Sequence, residues 1–289
     1  MKTTLPDLPA QWEEADGARV AVPSTPPADP WTALRAHTPA RIALGRAGTS
    51  LPSAEVLRFA AAHAQARDAV HLPLDVPALA AQLRALGHDC PCVESRAGSR
   101  TEYLRRPDLG RRLSESGRMV LEGLAPAAPA PRSLCIVVGD GLSAVAAQSH
   151  AAPLVAALQA ALADADAEAV TLTQVVIATQ ARVALADEVG ALLASPLVLM
   201  LLGERPGLSS PDSLGAYLTW APRVGRADSE RNCVSNLRPG GLAPAQGAAR
   251  IAWLVRAAWR RRVTGIALKD DSELPALEGV DRGPARLDP

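Results

Sequence analysis

Aromatic side chains are scarce in this chain, at 3% of residues with Phe59 the single phenylalanine, although hydrophobic residues reach 48%. The interior must therefore be built from Ala, Val and Leu, whose small size lets helices and strands approach closely and suits layered α/β packing. Net charge is lacking as well, at +0. That excludes the basic footprint of a nucleic-acid or anionic-membrane binder, and a neutral surface favours life inside an assembly. No purely apolar run approaches the ~20 residues that cross a bilayer. After Met1-Lys2 the chain reads TTLPDLPAQWEEADG, with no apolar core of a secretory signal. The four cysteines, Cys90, Cys92, Cys135 and Cys233, make no disulfide framework, since the first two are too close to pair easily and Cys135 lies in a strand-like run. A cytoplasmic protein with reduced thiols is expected, with neither membrane nor nucleic acid as partner.

What is present divides the chain. Residues 1–30 are rich in Pro and Ala and read as a flexible arm. Residues 31–123 read as a mainly helical region. Ser53 N-caps one helix whose Val56, Phe59, Ala60, His63 and Val70 share a face; others cover Val76–Leu86 and Leu113–Leu121. A Pro/Ala linker, 124–132, precedes a change of rhythm. Over 133–269, apolar runs at Leu134–Val138, Val170–Ala178 and Leu197–Leu202 read as buried strands alternating with helices, and Gly265–Leu268 as a last short strand. The segment 203–243 reads as one long loop, and 270–289 as a frayed tail. The expected fold class is α/β: a Rossmann-like, mainly parallel sheet flanked by helices, with a mainly helical N-terminal region.

Several segments suggest chemistry. Gly139-Asp140-Gly141-Leu142-Ser143 lies on a strand-to-helix turn, as a nucleophile elbow would, but Val145 stands where the second Gly of G-x-S-x-G belongs. A tight turn with Ser143 at the helix start is the simpler account. Gly45–Ser50 lacks the Lys of a phosphate loop. His88 with Cys90 and Cys92 has no second ligand pair at finger spacing, so no metal site is expected. Arg105, Arg106, Arg111 and Arg112 would suit phosphates, a partner's carboxylates or a solvated helix entry. The stretch GERPGLSSPDSLGAYLTWAP, 203–222, follows a buried strand, and ligands of open α/β sheets gather at such strand ends.

The segments TPARIALGRAGTSLPSAEVLRF (38–59), EYLRRPDLGRRLSE (102–115), IVVGDGLSA (136–144), ARVALADEVG (181–190), LLGERPGLSSPDSLGAYLTWAPR (201–223) and DSERNCVSNLRPGGL (228–242) together resemble the small (light) subunit of ethanolamine ammonia-lyase, in order, over about residues 31–269. The resemblance implies an adenosylcobalamin-dependent lyase converting ethanolamine to acetaldehyde and ammonia by radical chemistry. Its large subunit, a TIM barrel, carries the catalytic side chains; the small subunit clamps the cobalamin against it within a hetero-oligomer of several copies of each. Carried over by motif, Val183, Glu204 and Cys233 are expected to touch the cofactor, and no residue of this chain to be catalytic. A carboxylate such as Glu204 suits the amide N–H groups of a corrin rim. No D-x-H-x-x-G segment occurs, in keeping with the base-on cofactor of that family, whose own dimethylbenzimidazole sits on cobalt. Ala181 stands where relatives carry Gly. The N-terminus lacks the amphipathic helix that sends some relatives to a bacterial microcompartment, the alternative location. The competing expectation is a stand-alone Rossmann-like or serine-hydrolase-type enzyme using Ser143.

Overall fold

The structure, a computed structural model, describes residues 30–128, 130, 132–163 and 169–272. The arm expected over 1–30 and most of the tail expected over 270–289 thus lie outside the described residues. The chain forms two compact units, one up to Leu57 and one from Arg58 onward. In the first, Pro30–Ala36 forms a 3-10 turn. Ala47 and Ser50 bridge across a turn in which Gly48 takes a φ of +64°, so the segment Gly45–Ser50 closes on itself.

The second unit is a six-stranded sheet covered on both faces. Its strands are β1 (Cys92–Glu94), β2 (Ser133–Gly139), β3 (Thr171–Thr179), β4 (Leu197–Gly203), β5 (Leu214–Trp220) and β6 (Arg231–Leu237), in the order β1-β3-β2-β4-β5-β6. Helix α1 (Ser53–His71) leads in from the first unit; α2 (Val76–Ala85), α3 (Arg100–Arg105), α4 (Glu115–Glu122), α5 (Ala144–Leu162), α6 (Leu185–Leu192) and α7 (Pro244–Arg261) follow. Alternate residues of each central strand enter opposite layers, as the two-residue side-chain period requires. Leu134, Ile136, Val138, Ile177, Leu199 and Leu201 pack with Leu79 of α2, Leu158 of α5 and Ile251 of α7. Cys135, Val137, Val176, Val198 and Met200 face Leu121 of α4 and Leu185 and Val189 of α6. Burying each such Leu, Ile or Val contributes about 1.5–3 kcal/mol, which explains why β2 and β4 read as unbroken apolar runs. Among the described residues one helix, α5, is long and apolar enough to span a bilayer. Here it is a core helix, and its Ala147, Ala151, Leu154 and Leu158 are buried.

The sheet departs from the sequence expectation in its second half. β1–β3, β3–β2 and β2–β4 are parallel, whereas β4–β5 and β5–β6 are antiparallel. The supposed long loop 203–243 therefore contains two strands. Residues 204–213 are too few to carry a crossover helix, which needs about a dozen or more, so the chain must turn straight back. The expected strand at Gly265–Leu268 is instead a 3-10 turn, Gly265–Ala267. Gly265 takes φ +80°, and a Cβ there would lie 2.1 Å from the Ser229 carbonyl oxygen, so the chain is pressed against a neighbouring turn rather than extended.

Candidate functional site

The carboxyl ends of β2, β3 and β4 open onto a cavity of about 640 Å³. Two glycine-bearing turns build its floor. Gly141, at φ +56°, and Gly203 press backbone on backbone: a Cβ on Gly141 would stand 2.2 Å from the Gly203 oxygen, and one on Gly203 would stand 2.0 Å from the Ser143 oxygen. Leu142 N donates to Gly203 O at 2.9 Å, locking the two strand ends together. The run Gly139–Ala144 also fits the G-x-G-x-x-A form of a dinucleotide turn, but its close approach is used by Gly203 rather than left open to a pyrophosphate.

Asp140 points across to the next strand end. Its carboxylate accepts Gln180 N at 2.9 Å and Ala181 N at 3.0 Å, with Arg100 Nη1 at 3.6 Å. Burial pushes this carboxyl above its ordinary value, against the pull of those donors. Asp140 therefore shapes the turn that presents Val183, and does not itself line the cavity. The left-handed residue of this turn is Gln180, at φ 53°, one position before Ala181, so the Ala181 methyl brings no backbone strain. Tyr103, fully buried, donates its hydroxyl to Ala181 O at 3.0 Å. Arg100 and Arg182 lie over its ring at 4.8 and 4.4 Å. Desolvation pushes the Tyr103 phenol up to about 12.

Val183, Glu204 and Cys233 all line the cavity, although they come from three separate stretches of chain. Glu204 follows β4. Its backbone N–H binds Ser213 O at 2.9 Å; its Oε2 accepts the Ser213 hydroxyl at 2.5 Å and Asn236 N at 3.3 Å. Its Oε1 has no hydrogen-bond donor among the described residues, which leaves one fixed acceptor available. Cys233 sits on β6 directly opposite Tyr217 of β5. Desolvation, with the nearby Glu204 carboxylate adding to it, raises the Cys233 thiol; Tyr217 is raised by desolvation and by Cys233. Both remain neutral near pH 7.

The walls hang on the first turn of α6. Asp187 takes Arg231 Nη1 and Nη2 at 2.6 and 2.7 Å, and Arg231 fills its remaining donors with Thr219 Oγ1 (2.9 Å), Arg226 O (3.1 Å) and Asp228 Oδ1 (3.3 Å). Burial pushes the Asp187 carboxyl up against the pull of Arg231. The adjacent Glu188 reaches the other way: its Oε2 accepts Arg112 Nε at 2.9 Å and Leu113 N at 3.1 Å, and its Oε1 meets Arg118. Tyr103, Arg182, Asp187 and Arg231 were not singled out by sequence. The available signal was the Asp-Glu pair inside ARVALADEVG, whose two carboxylates in a first helical turn suit its dipole and hid their longer reach.

The four arginines flanking Pro107-Asp108 have separate duties. Arg106 pairs with Asp108 at 2.7 Å, Arg112 with Glu188, Arg105 is exposed, and Arg111 lines the cavity. Ser143 is fully buried; its hydroxyl donates to Pro211 O at 2.8 Å and accepts Ala146 N at 3.2 Å as the N-cap of α5. His150 is engaged by Asp212 at 3.0 Å. The serine-nucleophile alternative therefore finds its hydroxyl committed to structure. Cys90 is buried, with its thiol turned to His88 O at 3.4 Å, and Cys92 is exposed.

Comparison with known proteins adds an independent line. The family described as ethanolamine ammonia-lyase light chain (EutC) matches residues 28–269. The chain is 52% identical over 260 residues to an ethanolamine ammonia-lyase small subunit of Ralstonia nicotianae, covering 90% of this chain and 95% of that protein. It is similarly related to the small subunit of Pseudomonas syringae pv. tomato, at 51% over 255 residues and 88% of each chain. Against that of Bradyrhizobium diazoefficiens it is 52% identical over 267 residues, 92% of this chain and 96% of the relative.

Proposed function

The chain belongs to the ethanolamine ammonia-lyase light-chain family, and from that premise we propose that it is the cofactor-clamping small subunit of an adenosylcobalamin-dependent ethanolamine ammonia-lyase. The observation that carries this reading is the convergence of Val183, Glu204 and Cys233 on one strand-end cavity, with one Glu204 oxygen free to accept.

The residues present suit the group. Leu142, Val183 and Leu202 offer apolar surface, Glu204 offers an acceptor for rim amides, and the neutral Tyr217 and Cys233 add polar atoms without charge. A cavity of about 640 Å³ matches a drug-sized ligand, whereas a corrinoid is several times larger. Most of its body would project from the strand ends, and a second polypeptide must cover it. That is the place of the TIM-barrel large subunit in this proposal, with several copies of each chain in the assembly. The bound cofactor would supply radical chemistry. This chain's share is to bind, orient and exclude water.

Glu204→Ala tests the proposal. Removing one charge-assisted acceptor is worth ~1–3 kcal/mol, about 5- to 150-fold in cofactor affinity. Equilibrium dialysis of cobalamin against the co-expressed two-subunit complex measures it, and an affinity equal to wild type would count decisively against the assignment.

A further inference from the structure

The cavity lining brings two chemistries together: Glu204, Tyr217 and Cys233 offer an acceptor and neutral polar atoms, and Arg111, Arg182 and Arg205 offer guanidinium donors. Arg106, Arg112, Arg118, Arg226 and Arg231 each hold a carboxylate. Among the described residues, no carboxylate pairs with Arg111 or Arg182. Arg182 is also under-used as a donor. One Nη binds Tyr103 O at 3.2 Å, Nε is enclosed without any acceptor, and the other Nη has none among the described residues. Its guanidinium is nonetheless held in place, 4.4 Å above the buried Tyr103 ring. The backbone just before Arg111 is tied to the same turn, because Arg182 N donates to Gly110 O at 2.8 Å, while the Arg111 side chain itself is exposed. A Cβ on Gly110 would lie 2.8 Å from Arg182 Cγ and 3.0 Å from the Tyr103 ring, so only glycine lets that turn come so close.

One held and one exposed guanidinium group, neither paired with a carboxylate among the described residues and both lining one cavity, suit one compact anion with several oxygens. We propose that Arg111 and Arg182, seated on Tyr103, form an anion subsite that takes the phosphodiester of the corrinoid's nucleotide arm. This rests on the cofactor reading above and adds an orientation to it. The anionic arm lies toward the Tyr103 wall, and the amide-bearing rim toward Glu204.

Cobinamide, which lacks the phosphate and the base, separates the two ideas. Cyanocobalamin and dicyanocobinamide are dialysed against the wild-type two-subunit complex and its variants, at low and high salt. Arg111→Gln changes an exposed side chain, so folding is unaffected. It should weaken cyanocobalamin about 10- to 100-fold and leave cobinamide unchanged. Arg182→Lys, which keeps the charge but not the planar fork, should give a smaller loss of the same selectivity. Wild-type affinity for cyanocobalamin should fall with salt, and that for cobinamide should not. Glu204→Ala should weaken both ligands. If Glu204→Ala weakens both while the arginine variants affect both equally or neither, the subsite is overturned and the cofactor reading stands. Selective loss appearing at Arg205 instead also overturns it. If Glu204→Ala affects neither ligand, the cofactor reading itself falls.

Discussion

Replacing Gly203 with alanine probes the lock on which the site is built. The added Cβ would stand 2.0 Å from Ser143 O, 2.5 Å from Asp140 O and 2.7 Å from the Ser143 carbonyl carbon. Real Cβ contacts do not fall below 3.0 Å, so the backbones must part by about 1 Å. All three obstacles are main chain, and no side-chain rotation relieves them. The separation would break the Leu142 N–Gly203 O bond of 2.9 Å and pull Ser143 from its cap. Overpacking of this kind costs about 1–3 kcal/mol and a lost buried hydrogen bond about 1 more, so about 2–4 kcal/mol in all. Against a typical stability of about 5–15 kcal/mol the variant should still fold. Urea unfolding followed by far-UV circular dichroism reads the loss. Gly123→Ala is the control: its Cβ would meet nothing nearer than 3.5 Å and its φ is −68°, so it should be neutral or stabilise by about 0.4–1 kcal/mol. A Gly203→Ala variant within about 0.5 kcal/mol of wild type, a shift ordinary for surface changes, would refute the interlocked-turn account.

Other expectations follow from the same contacts. Asp187→Ala leaves the buried Arg231 guanidinium with only the exposed Asp228 as counter-charge and should cost about 3–5 kcal/mol in chemical unfolding, while Asp187→Leu combined with Arg231→Met should restore most of the loss. Native protein treated with a thiol reagent at pH 8 should label Cys92 and Cys233 only, and slowly, since both thiols are raised. Cys90, pushed up to about 11, and Cys135, to about 12, should react only after unfolding; mass spectrometry assigns the sites, and cobalamin in the complex should shield Cys233 alone. Glu230 is held below its ordinary value by the Ala227 N–H and then by Arg226. A depressed carboxylate stabilises above its unfolded pKa and loses that contribution as pH falls through the folded value, so the melting temperature of Glu230→Gln should fall less than that of wild type below about pH 4.

The central strands were legible because burial on both faces leaves an unbroken apolar run, as in LCIVV and LVLMLL. β6 was not: RNCVSNL buries only Arg231, Val234 and Leu237, and its remaining residues belong to the cavity rim and the outer edge. β5, LGAYLTW, is mostly buried but lies among Gly, Ser and Pro, which read as loop. β1 spans three residues, too few to show a period. Of the cavity lining, Val183, Glu204 and Cys233 were singled out through motif resemblance, since no local pattern marks them. Tyr103 and Arg231 stayed hidden because their partners lie 78 and 44 residues away in sequence. A fold brings such pairs together, and spacing along the chain carries no trace of them.

The back-to-back carboxylates at the start of α6 have a thermodynamic consequence. Asp187 tethers one rim and Glu188 the other, so neither can swing without tearing a charge from its mate. Asp187, Glu188 and Arg231 have already given up their rotational freedom during folding, so filling the cavity would cost them little further entropy, whereas the exposed Arg111 would still have to be ordered.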